Sequence, residues 1–257
     1  MFDELKANNL CKLFTDLPGV KLPKQLTEAI KAFHEAQDTP IAAPQEQPKD
    51  VSARLLQLAT QLAAEDYERP ARNQLKANAA SKLYPAARDA VPEVTAQLSK
   101  QFTPAADSFT EAVKKLPEDL DESSLIRAGS EALKALETAQ EASKTITMIE
   151  SFTKGVISEV YSAKQRPKGV VAGDPLKITK PSTISEYQKL VDANPSNLPK
   201  GLRQNLNVVA LTAVQNGVPL VMHSIEDIAR EYERIRNQMP TDYISRTNQN
   251  MPRLKNM

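Results

Sequence analysis

The chain has 257 residues, 40% hydrophobic, 25% charged and 5% aromatic, with a formal net charge of +1. Seven glycines and no tryptophan exclude the turn-rich, aromatic-rich make-up of a β-sandwich or barrel, and abundant alanine, leucine, glutamate, lysine and glutamine point to an all-α fold. A single cysteine, Cys11, excludes an intrachain disulfide, and no uninterrupted apolar run is long enough to span a membrane.

Residues 1–37 read as two helices. Phe2, Leu5, Leu10, Leu13, Phe14 and Leu17 belong to the first, which stops at Pro18-Gly19; Pro23 opens the second, with Leu26, Ile30 and Phe33 on one face. Such a hairpin needs further apolar cover, and the pair is expected to be a small module of its own. Residues 1–17 carry acids and lysines throughout and lack the apolar centre of a signal peptide, so a cytoplasmic location is expected. Residues 38–50 contain Pro40, Pro44 and Pro48 and read as an extended linker.

From Val51 a helix is expected to about Asp66, with Leu55, Leu58 and Leu62 as its stripe and Leu56 beside it. Pro70, Pro85 and Pro104 each precede alanine and a helical pattern. Proline fixes φ and lacks an N–H, so it suits a helix's first turn. These positions predict separate helices of about 12–17 residues between 51 and 116, with Pro92 kinking one of them.

Residues 118–166 contain none of the chain's 18 prolines. Asp121 or Ser123 can cap a helix, and Leu125, Ala128, Ala132, Leu136, Ala139, Ser143, Ile146, Ile149, Phe152, Val156 and Val160 recur at steps of three and four. One long central helix is expected over about 122–164, which would be roughly 60–65 Å long. Gly129 and Gly155 are the places where it would break. The heavier second half makes Ile146, Ile149, Phe152 and Val156 the candidates for core or for self-association through a coiled coil. Glu137 and Glu141, one turn apart among lysines, read as a solvated face rather than a cation site.

Charge reverses after this stretch. Residues 104–160 hold six basic against eleven acidic residues, and 161–210 hold eight basic against three acidic. Residues 165–182 read as a long basic loop, functional or mobile, punctuated by Pro167, Gly169, Gly173, Pro175 and Pro181. A C-terminal helical module follows over 183–239: a helix over 183–192, another over 199–216, and a third from Ser224, where Asp227 three residues on forms a variant capping box. Residues 240–257 lack a stripe and are expected to be a disordered tail. The main bundle would then cover 51–164. Lys177, Lys180, Lys200, Arg203, Arg230 and Arg234 are the candidate basic contacts with an acidic partner.

Motifs for chemistry are absent. No phosphate loop, dinucleotide fingerprint or nucleophile elbow occurs, and the two histidines, His34 and His223, have no metal-ligand spacing. No catalytic residue, cofactor or metal is therefore assigned. The expectation is a multi-helix bundle acting as a non-enzymatic, scaffold-like interaction or assembly protein that binds a protein partner or itself, with no membrane role. The alternative is a nucleic-acid-binding accessory protein that uses the basic C-terminal third, although helices 199–216 and 224–238 are spaced too widely for a helix-turn-helix.

Overall fold

Asp3 begins the first helix by accepting the Lys6 N–H at 3.2 Å. In the computed structural model, which describes residues 3–38, 51–161 and 164–238, that helix is α1 (Glu4–Thr15), followed by α2 (Lys24–Asp38). Ala7, Leu10, Cys11 and Phe14 of α1 and Leu26, Ile30 and Phe33 of α2 are buried, while Leu5 faces solvent. Of the expected linker over 38–50, Asp38 ends α2 and the rest lies outside the described residues, as does the expected tail over 240–257.

The next helix corrects the sequence reading. In place of several short helices, α3 runs from Val51 to Val113, 63 residues. Pro70, Pro85, Pro92 and Pro104 sit inside it rather than at helix starts, and all four are exposed. That placement is the physical reason the helix survives them. Each interior proline removes one N–H and frees a carbonyl a turn earlier, those of Ser81, Arg88 and Lys100 among them, and on an outer face water can satisfy the freed oxygen. The inner face is unbroken: Ala80, Leu83, Ala87, Ala90, Val91, Val94, Leu98, Phe102, Ala106, Phe109 and Val113 are buried at helical steps across three of the prolines.

The chain forms two compact units, Met1–Val94 and Thr95–Met257. In the first, α1 and α2 are tied to α3 by a polar junction. Lys76 Nζ lies 2.9 Å from Glu4 Oε1, and Gln37 Nε2 donates to the same oxygen at 3.1 Å and to Asn8 Oδ1 at 3.0 Å. The N-terminal pair thus shares its unit with the first part of α3.

In the second unit, Asp121 is the cap of α4 (Glu122–Gly155), accepting the Ser124 N–H at 2.8 Å. The helix breaks at one of the two expected glycines and stays helical through the other. Gly129 takes φ +83° and ψ −169°, and Gly155 marks the change from α to a π-helical turn, Val156–Val160. Arg166 Nη2 donates to the Ile157 carbonyl in that wide turn at 2.8 Å. Shorter elements follow: a 3-10 turn at Pro175–Lys177, α5 (Ile184–Val191), a second 3-10 turn at Pro195–Asn197, α6 (Val208–Gln215) and α7 (Ile225–Arg236). The capping box read at Ser224 and Asp227 is present, and Thr183 with Glu186 makes another. The helix expected over 199–216 begins only at Val208, because Asn207 caps it there and 199–206 turns back on itself. Among the described residues no strand forms, and the one isolated bridge joins Thr179 to Leu220. The fold is an all-α bundle.

Candidate interaction surfaces

The segment expected as a basic loop is largely interior. Val170 and every residue from Asp174 to Thr179 are buried. A buried segment without regular structure must find a partner for each backbone group, and its own side chains supply several. Lys177, only 1% exposed, turns its ammonium back on the loop and donates to Asp174 O at 2.6 Å and Ala172 O at 2.9 Å. Thr179 Oγ1 donates to Pro175 O at 2.8 Å, and His223 Nδ1 lies 2.7 Å from Leu176 O. The backbone then pairs with 219–223: His223 N to Lys177 O, Val221 N to Ile178 O, and Lys180 N to Pro219 O.

This cation is matched by a carboxylate on α4. Glu150 Oε1 lies 3.5 Å from Lys177 Nζ, and Glu150 Oε2 accepts from Asn207 Nδ2 at 2.7 Å. Asn207 also accepts the Ala210 N–H at 2.9 Å as the cap of α6 and donates its own N–H to Ser143 Oγ at 2.6 Å. On the loop side, Asp174 accepts from Leu176 N at 2.9 Å and from Tyr187 Oη at 3.1 Å. Burial pushes the Lys177 pKa down, and Glu150 and Asp174 offset this only in part. Burial likewise raises the Asp174 carboxyl, against the Leu176 N–H and the Tyr187 hydroxyl, and it raises the Tyr187 phenol, with Asp174 adding to the effect. A network of this kind holds three elements in register.

The expected basic contact is accordingly corrected residue by residue. Lys177 is buried and paired. Arg203 spends its guanidinium on Leu198 O at 2.8 Å and Ser196 O at 3.0 Å. Arg234 donates to Glu231, Ser182 O and Pro181 O, which fastens α7 to the start of α5. Arg230 pairs with Asp227. Only Lys180 and Lys200 stay exposed with no partner among the described residues. Lone cations on turn-forming segments find carbonyls more readily than ligands, and the composition of the segment could not show this.

Ile146, Ile149, Phe152 and Val156 are all buried within the chain, so of the two roles open to them they take the core. Leu75 and four neighbours on α3 do the opposite. Val51, Leu55 and Leu56 are 66–71% exposed, and Tyr67 and Leu75 are exposed as well, so five large apolar residues fall within 25 positions of one helix. Elsewhere the exposed large apolars, such as Ile126 and Val171, are scattered. Scattered apolar residues are ordinary on protein surfaces; five along one stretch of helix are denser than the scatter elsewhere.

Two clefts flank α6. One of about 420 Å3 is rimmed by Glu118, Asp119, Asp121 and Asp192, and one of about 410 Å3 lies between Leu116, Leu120 and the α6 residues Leu211 and Val214. Neither gathers a catalytic set, and among the described residues no three of His, Cys, Asp and Glu converge as metal ligands. His223 is engaged with a backbone carbonyl, and burial raises the Cys11 thiol to about 11, which keeps it protonated and unreactive at neutral pH. Among the described residues no helix is long and apolar enough to cross a membrane.

Sequence reasoning missed Glu150, Asn207 and Asp174 as a group. One signal was present: Ser143, a polar residue in an otherwise apolar stripe, marks the point where α4 accepts a backbone N–H from Asn207. Comparison with protein-family models, curated proteins and solved structures finds no match to this chain.

Proposed function

We propose that this protein is a non-enzymatic α-helical interaction protein whose contacts are made through apolar helix surface. The observation that carries the reading is the series of exposed large apolar side chains along the first part of α3, Val51, Leu55, Leu56, Tyr67 and Leu75. A helix that presents such side chains to water while its later part, from Ala80 to Val113, buries a continuous stripe is poised to lose that surface to a partner. The polar groups give secondary support. The buried Asp174, Lys177 and His223 and the partly buried Glu150 of the second unit are engaged with one another and with backbone, which suits a structural role. With Lys177 buried and Arg203 and Arg234 bonded to backbone carbonyls, the reading of a basic C-terminal contact rests on the exposed Lys180, Lys200 and Arg230.

A photo-crosslinking amino acid placed at Leu55, Tyr67 or Leu75 in the full chain, in the cell that makes it, tests this. Crosslinks to a protein are expected from these positions and not from Leu5, an exposed leucine on the separate helix α1. A chain that crosslinks to no protein from any of the three positions would sink the interaction reading.

A further inference from the structure

The clefts of about 420 and 410 Å3 beside α6 share Glu118, Leu120, Leu211 and Gln215, so they are two parts of one groove. One part is lined by Glu118, Asp119, Asp121 and Asp192. The lysines beside these acids are engaged elsewhere, Lys114 with Glu111 at 2.7 Å and Lys189 with Asn216 at 2.8 Å. Asp121 is held by Ser123 and Ser124 and Asp192 by Gln188, and among the described residues no cation forms an ion pair with any of the four. The other part is apolar, lined by Leu116, Leu120, Leu211 and Val214. A groove that is acidic on one side and apolar on the other fits a segment carrying both cations and apolar side chains.

The described residues end close by. Gln238, after α7, is fastened to the start of α5: it accepts the Ile184 N–H at 3.1 Å and donates to Ser182 O at 3.1 Å. Asp192, in the acidic part of the groove, follows the last residue of that same helix. α5 has eight residues, so about 12 Å of helix lies between the two points.

We propose that the segment after Gln238 docks in this groove of its own chain, with residues 251–257 as the part that enters it. The groove lies apart from the exposed residues at the start of α3, and the proposal does not depend on the function read from them. Three arguments select this occupant. The first is charge, since residues 239–257 hold Arg246, Arg253 and Lys255 against Asp242, and they would meet four carboxylates. The second is pattern. Met251, Leu254 and Met257 interleave with Arg253 and Lys255, so one short stretch offers apolar side chains to the Leu211 and Val214 side and cations to the acidic side. The third is reach. The 19 residues after Gln238 span at most about 60 Å, several times the length of α5, and tethering to the same chain supplies an effective concentration on the order of millimolar. Docked in this way, the segment closes the groove to any other basic peptide.

A photo-crosslinking amino acid in place of Leu254 tests the proposal in the purified full chain, mixed equally from protein labelled with light and with heavy nitrogen and read by mass spectrometry. Crosslinks to residues 113–121 or 208–215 are expected, in products that carry a single label. Glu118→Lys with Asp119→Lys should lower their yield several-fold; both acids are exposed, so the core is untouched. Adding Arg253→Glu and Lys255→Glu to that chain should restore the yield, because the charges are then exchanged. Crosslinks only to other parts of the chain, no crosslinks at all, or a yield indifferent to the reversal or not recovered by the exchange would overturn the proposal. Products joining a light to a heavy chain would also overturn it, since the occupant would then be the segment of a second copy.

Discussion

The Lys177 ammonium sits 3.5 Å from the Glu150 carboxylate, so a buried loop residue and a partly exposed residue on α4 form an ion pair. Lys177 also holds the carbonyls of Ala172 and Asp174, and Glu150 also holds Asn207, so each charge organises backbone on its own side. Removing Lys177 leaves the carbonyls of Ala172 and Asp174 without their donor and the partly exposed Glu150 without its cation. Lys177→Met should lower the unfolding free energy by about 2–4 kcal/mol. Adding Glu150→Gln to it should recover part of that loss, because glutamine can still accept from Asn207 and carries no charge. Urea unfolding of the four chains of this cycle measures the coupling; losses that simply add would show that the two residues are energetically independent.

Asp174 gives the second unit a pH dependence with a defined sign. Burial raises its pKa above the ordinary 3.8. A group whose folded pKa is raised contributes stability that is complete below its unfolded value and is lost as pH rises through the folded value. Relative to Asp174→Asn, the native chain should therefore lose stability as pH rises from 3.8, and the difference should level off once the folded carboxyl has ionised. Unfolding midpoints of both chains over this range test it, and a difference that grew in the native chain's favour would contradict the assigned burial effect.

Gly169 has φ +84°, and a Cβ there would lie 2.0 Å from Cδ1 of Tyr232. Gly169→Ala combines left-handed strain with a clash against a half-buried ring, and should cost at least about 2 kcal/mol. Gly129 has nearly the same φ, +83°, with nothing within 4 Å of the added atom. Gly129→Ala meets no clash, but with ψ −169° its backbone lies in a region that is essentially glycine-only, so conformation alone should cost about 1–3 kcal/mol. Repeating Gly169→Ala in a Tyr232→Ala background isolates the packing of α7 on the loop in thermal or chemical unfolding; an unchanged loss would mean that Tyr232 yields freely.

Pro92 distinguishes a helix interior from a helix start. Within α3 it withholds an N–H from the Arg88 carbonyl at an exposed position. Pro92→Ala should restore that bond and raise stability by about 1–3 kcal/mol, less whatever proline gains by restricting the unfolded chain. At a helix start the same change would be neutral or destabilising, so a lower unfolding midpoint for the variant would argue against a continuous α3.

The all-α class, the N-terminal pair, the cap of α4, its break at Gly129 and the capping box at Ser224 were all legible in the sequence. Each depends on interactions within a few residues: apolar spacing, a side chain on a nearby N–H, or glycine's tolerance of positive φ. Continuity of α3 was not legible, because proline's local cost is the same at a helix start and on an exposed helix face. Only the buried stripe from Ala80 to Val113, packed in three dimensions, decides between them. The fate of the basic residues was undecided for a related reason. Composition counts Lys177, Arg203 and Arg234 as surface charge, but a buried loop needs donors for its carbonyls, and the tertiary structure brings those residues to them. The apolar start of α3 presents the converse: its leucines were visible as a stripe from the outset, and the folded unit leaves Leu55 of that stripe exposed.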